Sequence, residues 1–225
     1  MRLEKLLNQR TIAPGLIFAV FALPLLLGPR PLAVYIDALG SLEGVFYTLV
    51  VIGIGGAYHA LRLRDGAAQP IWDAVNEPIV VTLVDCAMAN PEVALARGAL
   101  LTHRSQVMNM AFYHFIDTDP SLKAKSQRVY HNGSFVTACV DMYVLGLFFA
   151  VLYFLLYALA PEHERFFALG SFLLVFLAGF AYYQALPVIV AHHIELGAEQ
   201  LQIITVQYKF ETEQQLSKLA KSLAP

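Results

Sequence analysis

The sequence predicts an all-α integral membrane protein: four transmembrane helices, both termini cytoplasmic, and a small, mostly helical cytoplasmic layer. Three observations predict it. Charge is missing from long stretches. Between Phe135 and Tyr157 the one charged residue is Asp141, and Phe166–Ala191, Thr11–Gly28 and Gly44–Tyr58 hold none. Composition agrees: the 225 residues are 58% hydrophobic and 14% charged, against roughly 25% charged in soluble domains. Third, the basic residues are unevenly placed along the chain, as set out below.

Each uncharged run reaches or approaches the helix of about 20 residues that crosses a hydrocarbon core of roughly 30 Å. A membrane β-barrel would alternate apolar and polar residues over strands of about ten. Leu145–Ala160 is instead apolar on every side, so helix is the spanning structure that fits.

The first span is expected at 12–27, with Pro14 in its first turn and Pro24 inside it. Arg2, Lys5 and Arg10 before it imitate a signal peptide, but the run ends in Gly28-Pro29-Arg30-Pro31 without a small-residue cleavage pattern. It reads as a retained span. The second span is expected at 42–61, the third at 134–159 and the fourth at 166–194. Pro187 should kink the fourth, because proline removes an i→i−4 hydrogen bond.

Between and after the spans lie two cytoplasmic pieces, 62–133 and 195–225. Asn90-Pro91-Glu92 reads as an N-cap, an N1 proline and a first-turn acid. The helix it starts would run toward Phe115, with Val93, Leu100, Leu101, Val107, Met108, Met110 and Phe112 as its apolar face. Asp119-Pro120 reads as a second start, leading toward span three, with Asn132-Gly133 a break or a bend. Pro78–Val84 is ambiguous between strand and buried helix. Residues 204–211 alternate with period two, yet the helix formers of Glu213–Leu223 favour helix there. Cys86, expected in a polar loop, and Cys139, expected in a span, read as free structural thiols.

Orientation follows from Lys and Arg. Of the 15, Arg30 and Arg165 fall on one side and the other thirteen on the opposite side: three before span one, seven between spans two and three, and three in the C-terminal tail. The positive-inside rule makes those three segments cytoplasmic. A multi-pass protein of the cell inner membrane follows. The net charge of −2 gives no footprint for nucleic acid.

Asp141 is the ionisable group well inside a span, where a carboxylate costs at least about 2.5 kcal/mol and faces protein or water. Gln184 in span four, and Gly53 and Gly56 in span two, fall at comparable depth. Together they suggest either a pore or polar layer within the membrane, or a hydrogen-bonded Asp joining closely packed helices. His59, His131, His192 and His193 gather at the cytoplasmic ends of spans. Imidazole suits several metals, but no metal-binding spacing is present, so neither metal nor cofactor is expected. Lys123, Lys125 and Arg128 suit contact with lipid headgroups or a partner.

The functional expectation is an oligomeric four-span protein acting as a small channel or membrane-permeabilising effector gated from its cytoplasmic side. Its expected associates are membrane lipids and further copies of itself. The alternatives are a membrane scaffold or accessory subunit docking a soluble cytoplasmic protein, and a membrane enzyme or redox protein using the interfacial histidines.

Overall fold

The computed structural model describes residues 9–31, 33–35, 37 and 52–223, and every secondary element among them is helical. In order these are α1 (Gln9–Leu27), α2 (residues 52–60), α3 (Asp65–Cys86), α4 (Pro91–Leu95), α5 (Arg97–Thr102), α6 (Arg104–Val107), α7 (His114–Thr118), α8 (Pro120–Leu159), α9 (Glu164–Phe180), α10 (Leu186–Gln207) and α11 (Lys209–Leu223). Two wide π-helical segments, Met108–Tyr113 and Ala181–Ala185, precede α7 and α10. Residues 42–51 of the expected second span lie outside the described residues.

The chain forms two compact units. One comprises Met1–Ala68 and Ser134–Val188, the other Gln69–Gly133 and Ile189–Pro225. In the first, α8 turns through a short 3₁₀ segment, Pro161–His163, into α9. Small residues let the two helices meet. A Cβ on Gly146 would lie 3.0 Å from the Ala178 methyl, and one on Gly170 would lie 2.5 Å from the Tyr153 ring. The Ser171 hydroxyl donates to the Ala150 carbonyl at 2.9 Å, an interhelical bond worth about 0.6 kcal/mol in apolar surroundings. The pairs 146/178, 150/171 and 153/170 run in opposite directions, so the helices are antiparallel.

The N-terminal helix α1 joins this pair through aromatic packing. Phe18 and Phe21 meet Phe149 edge-on at 4.9 and 5.8 Å. Pro24 deprives α1 of one backbone N–H, and one residue beyond the carbonyl so freed, Phe21 O accepts a 3.1 Å bond from the buried Tyr153 hydroxyl. Outside, the surface is apolar: Phe148, Val151, Phe154, Leu169, Phe172 and Phe176 are all exposed.

Two helical stretches, Pro120–Leu159 and Pro161–Gln207, are long and apolar enough to cross a membrane. Their most apolar windows are 28% and 22% buried, unlike the core helix of a soluble protein. The first runs unbroken through Asn132-Gly133. In the second, Pro187 has no N–H to give and its ring crowds the carbonyl four residues back. The chain meets this with the wider turn at Ala181–Ala185.

The second unit has its own core. Ile79, Val80, Leu83 and Val84 of α3 pack with Val93, Leu100, Val107, Phe112 and Phe115, with Leu201 and Ile204 of α10, and with Leu216 and Leu219 of α11. The expected continuous helix after Asn90 is instead broken into short pieces around this core, bending at Ala96 and His103. Both expected starts are present. Asn90 Oδ1 accepts from the Glu92 N–H at 3.0 Å, and Asp119 Oδ1 accepts from the N–H groups of Ser121 and Leu122 at 2.6 and 3.2 Å. Pro78–Val84 is buried helix. Cys86 closes α3, half-buried, rather than lying in a loop, and burial raises its thiol pKa. Residues 204–211 are helical apart from a bend at Tyr208, and their period-two pattern matches no pair of faces: Ile204 is buried while Val206 and Phe210 are exposed.

Asp119 does double duty. Besides capping α8, its Oδ2 accepts a 2.6 Å bond from the Tyr208 hydroxyl, and the Tyr208 ring stacks on Phe115 at 4.8 Å. The Tyr208 bond, followed by that of Ser121, pulls the Asp119 carboxyl from its ordinary 3.8 to about 2. A depressed carboxylate pKa adds stability above the unfolded value that is lost as pH falls through the folded one. Stability should therefore fall between pH 3.8 and about 2. In Tyr208→Phe, which keeps the stacking ring, that acid-dependent loss should shrink. Helical circular dichroism in detergent across this range measures it; equal acid sensitivity in both proteins would refute the assignment.

Candidate functional site

Among the described residues of the first unit, a buried polar cluster forms where α2 ends. The Leu61 N–H bonds to Ala57 O at 2.8 Å, the Arg62 N–H to His59 O at 3.1 Å and the Leu63 N–H to Tyr58 O at 3.4 Å. Arg62 has φ +55°. This is a Schellman closure with arginine in the left-handed position that glycine usually fills. A non-glycine residue there costs roughly 1–2 kcal/mol. The turn brings Arg64 back toward the helices it has just left, and Asp65 opens α3 beside the Arg62 guanidinium.

Arg64 reaches Asp141 on α8. One guanidinium nitrogen lies 3.2 and 3.4 Å from the two carboxylate oxygens. The other lies 3.0 Å from His59 Nδ1. Guanidinium nitrogens only donate, so His59 accepts at Nδ1 and carries its proton on Nε2. Asp141 has no exposed surface and Arg64 almost none. The buried Tyr58 hydroxyl interacts with the Asp141 carboxyl but makes no hydrogen bond of full geometry among the described residues. The cluster is thus imidazole, guanidinium, carboxylate and phenol in sequence, with the two charges cancelling.

The other residues singled out from the sequence fall elsewhere. Gln184 is exposed in the π-helical segment and makes no hydrogen bond to Asp141 among the described residues. Gly53 is exposed and Gly56 half-buried, and a Cβ on either would meet nothing within 4 Å among the described residues. Among the described residues, Gly146 and Gly170 are the glycines pressed against another helix. His131 is exposed, edge-on to Tyr130. His192 is exposed, 3.4 Å from Glu195, and His193 is buried against Trp72. Among the described residues no three His, Cys, Asp or Glu side chains are grouped to hold a metal ion. Lys125 pairs with Glu199 at 3.4 Å, while Lys123 and Arg128 are exposed.

Sequence reasoning counted Arg64 as an orientation signal and overlooked it as a partner. The signal that could have found it is depth: a buried carboxylate requires a counter-charge, and Arg64 lies just past the end of the expected second span, which the basic residues put at the same end as Asp141.

Two outcomes follow from this geometry. Removing one partner of a buried ion pair leaves the other uncompensated, at a cost of about 3–5 kcal/mol, whereas replacing both by apolar groups is often neutral. Asp141→Leu alone should therefore destabilise strongly, and Arg64→Met combined with Asp141→Leu should recover most of the loss in thermal unfolding in detergent. Additive losses would show that the pair is not coupled. Arg62→Gly and Arg62→Ala both lose the exposed pair with Asp65, so the glycine variant should exceed the alanine variant by about 1 kcal/mol, the relief of the left-handed residue. Equal stability would count against strain at that position.

Compared with protein-family models, with curated proteins and with solved structures, the chain matches none.

Proposed function

We propose that this chain is a four-span protein of the cell inner membrane, with both termini cytoplasmic, whose second unit serves as a docking module for a soluble cytoplasmic protein. The observation that carries the docking reading is the second unit itself. It has a separate hydrophobic core and surface ion pairs such as Arg97–Asp85 and Arg104–Glu77, as a water-facing domain does. Yet Leu95 is 91% exposed, Val206 74% and Phe210 67%. On this reading they belong to a contiguous apolar patch, which marks an interaction surface as singly exposed residues do not.

The first unit supports the anchoring half. Its outward side chains are Phe, Leu and Val, and thirteen of the 15 Lys and Arg lie in segments assigned to one side. Counted back from Leu159 at 1.5 Å per residue, a core of about 30 Å extends to roughly residue 140. Asp141 then sits at the inner edge of the hydrocarbon, within reach of Arg64 from the cytoplasmic turn, rather than deep in a span.

A second reading, the oligomeric channel, is supported by a different observation. Gln184 and Tyr183 are exposed within an apolar helical stretch, in a π-helical segment, a feature frequent at functional sites. Several copies around an axis could line a path with them. Asp141, already neutralised by Arg64, has no free charge to offer a cation.

One set of measurements separates the two. A photo-crosslinking residue at Leu95 or Phe210 should give one discrete adduct with another protein in cells. Leu95→Glu should abolish it without lowering stability, while Asp141→Asn leaves it intact. Absence of a discrete adduct, together with a homo-oligomeric mass in detergent and membrane permeability that falls in Gln184→Leu, would overturn docking in favour of the channel.

A further inference from the structure

An apolar groove of about 360 Å³ runs along the first unit between α1 and the α8–α9 pair, lined by Phe21, Pro24, Tyr153, Gly170, Leu173 and Leu177 among others. Two features open it. Gly170 has no side chain, so the Tyr153 ring lies flat across it where a Cβ would stand, and Pro24 interrupts the hydrogen-bonding of α1. On α9 the lining extends from Phe166 to Leu177, about 16 Å at 1.5 Å per residue. That is close to half of a hydrocarbon core of about 30 Å, the depth of one leaflet.

One end of the groove is polar. Next to the lining residue Phe166 stand Glu162, Glu164 and Arg165, all exposed and forming no ion pair among the described residues. At the other wall, the hydroxyl of the lining residue Tyr35 donates to Gly28 O at 2.6 Å and accepts from the Arg30 backbone N–H at 3.0 Å, while the exposed Arg30 side chain donates from Nε to Leu27 O at 3.4 Å. In the four-span reading, Arg30 and Arg165 are the two basic residues on the side opposite the other thirteen. The polar end of an apolar groove one leaflet deep thus carries the Arg165 guanidinium and the Glu162 and Glu164 carboxylates together.

We propose that the groove holds one acyl chain of a zwitterionic phosphoethanolamine lipid. Its phosphate meets Arg30 and Arg165, since guanidinium matches phosphate oxygens, and its ammonium meets Glu162 and Glu164. This rests on the membrane reading above. A purely anionic headgroup would leave the two carboxylates opposed to it, and a phosphocholine lipid has no N–H to donate to them.

The test is native mass spectrometry of the full chain, released from mild detergent after reconstitution with phosphatidylethanolamine, phosphatidylcholine or phosphatidylglycerol. The expected result is one retained phosphatidylethanolamine per chain, with the other two lipids held more weakly. Leu173→Trp and Val20→Trp, both on half-exposed positions of the walls, should each lose the lipid. Either one that keeps wild-type thermal stability suffices to read the result. Arg30→Gln with Arg165→Gln should weaken retention about a hundredfold, the loss of two charge-assisted hydrogen bonds. Absence of retained lipid, equal retention of all three, or full retention in both tryptophan variants would overturn the proposal while leaving the membrane reading intact. Release of the protein from vesicles by alkaline carbonate would overturn both.

Discussion

The buried pair between Arg64 and Asp141 is the constraint on which the first unit turns. A carboxylate with no exposed surface, on a helix whose outward residues are phenylalanine, leucine and valine, persists only when neutralised in place. The counter-charge arrives from a strained turn, with Arg62 in a backbone conformation that costs free energy. The site therefore combines two unfavourable choices, a buried charge and a left-handed arginine, that make sense only together. Placing Arg64 beside Asp141 and His59 offsets both.

Around this point the apolar helices have little hydrophobic drive to associate if lipid surrounds them, because lipid tails are as apolar as leucine. What holds α8 to α9 is close approach and a few polar contacts. Gly146 opposite Ala178, Gly170 under the Tyr153 ring and the Ser171–Ala150 bond supply these. Tyr153 links the three helices, touching Gly170 with its ring and the Phe21 carbonyl with its hydroxyl.

The second unit is built on the opposite principle. Its helices are short and kept in place by a conventional core, and their ends are tied by polar groups. Glu92 accepts from the Ser217 hydroxyl and pairs with Lys221 of α11 at 3.0 Å, contacts that lower its pKa. Asp119 joins the start of α8 to the bend at Tyr208. Such ties suit water, where exposed ion pairs contribute little singly but burial of leucine and valine contributes much.

Local chemistry was legible in the residues. The uncharged runs and the asparagine and aspartate caps each act within a few positions, so spacing alone reveals them. Helical class and the apolar stretches of α8 and α9 follow from composition that no fold could reverse. The partners were not legible, because Arg64 and Asp141 are 77 positions apart and their meeting depends on a turn whose left-handed residue is an arginine where glycine would have announced it. Among the described residues the glycines in close interhelical contact are Gly146 and Gly170, which spacing did not single out, since close approach is decided by which helix faces which. By itself the sequence determined that long helices would form and which stretches of them would avoid water. Tertiary structure alone decided which polar group answers the buried charge, because in an apolar interior that answer depends on distance and direction, and neither is written along the chain.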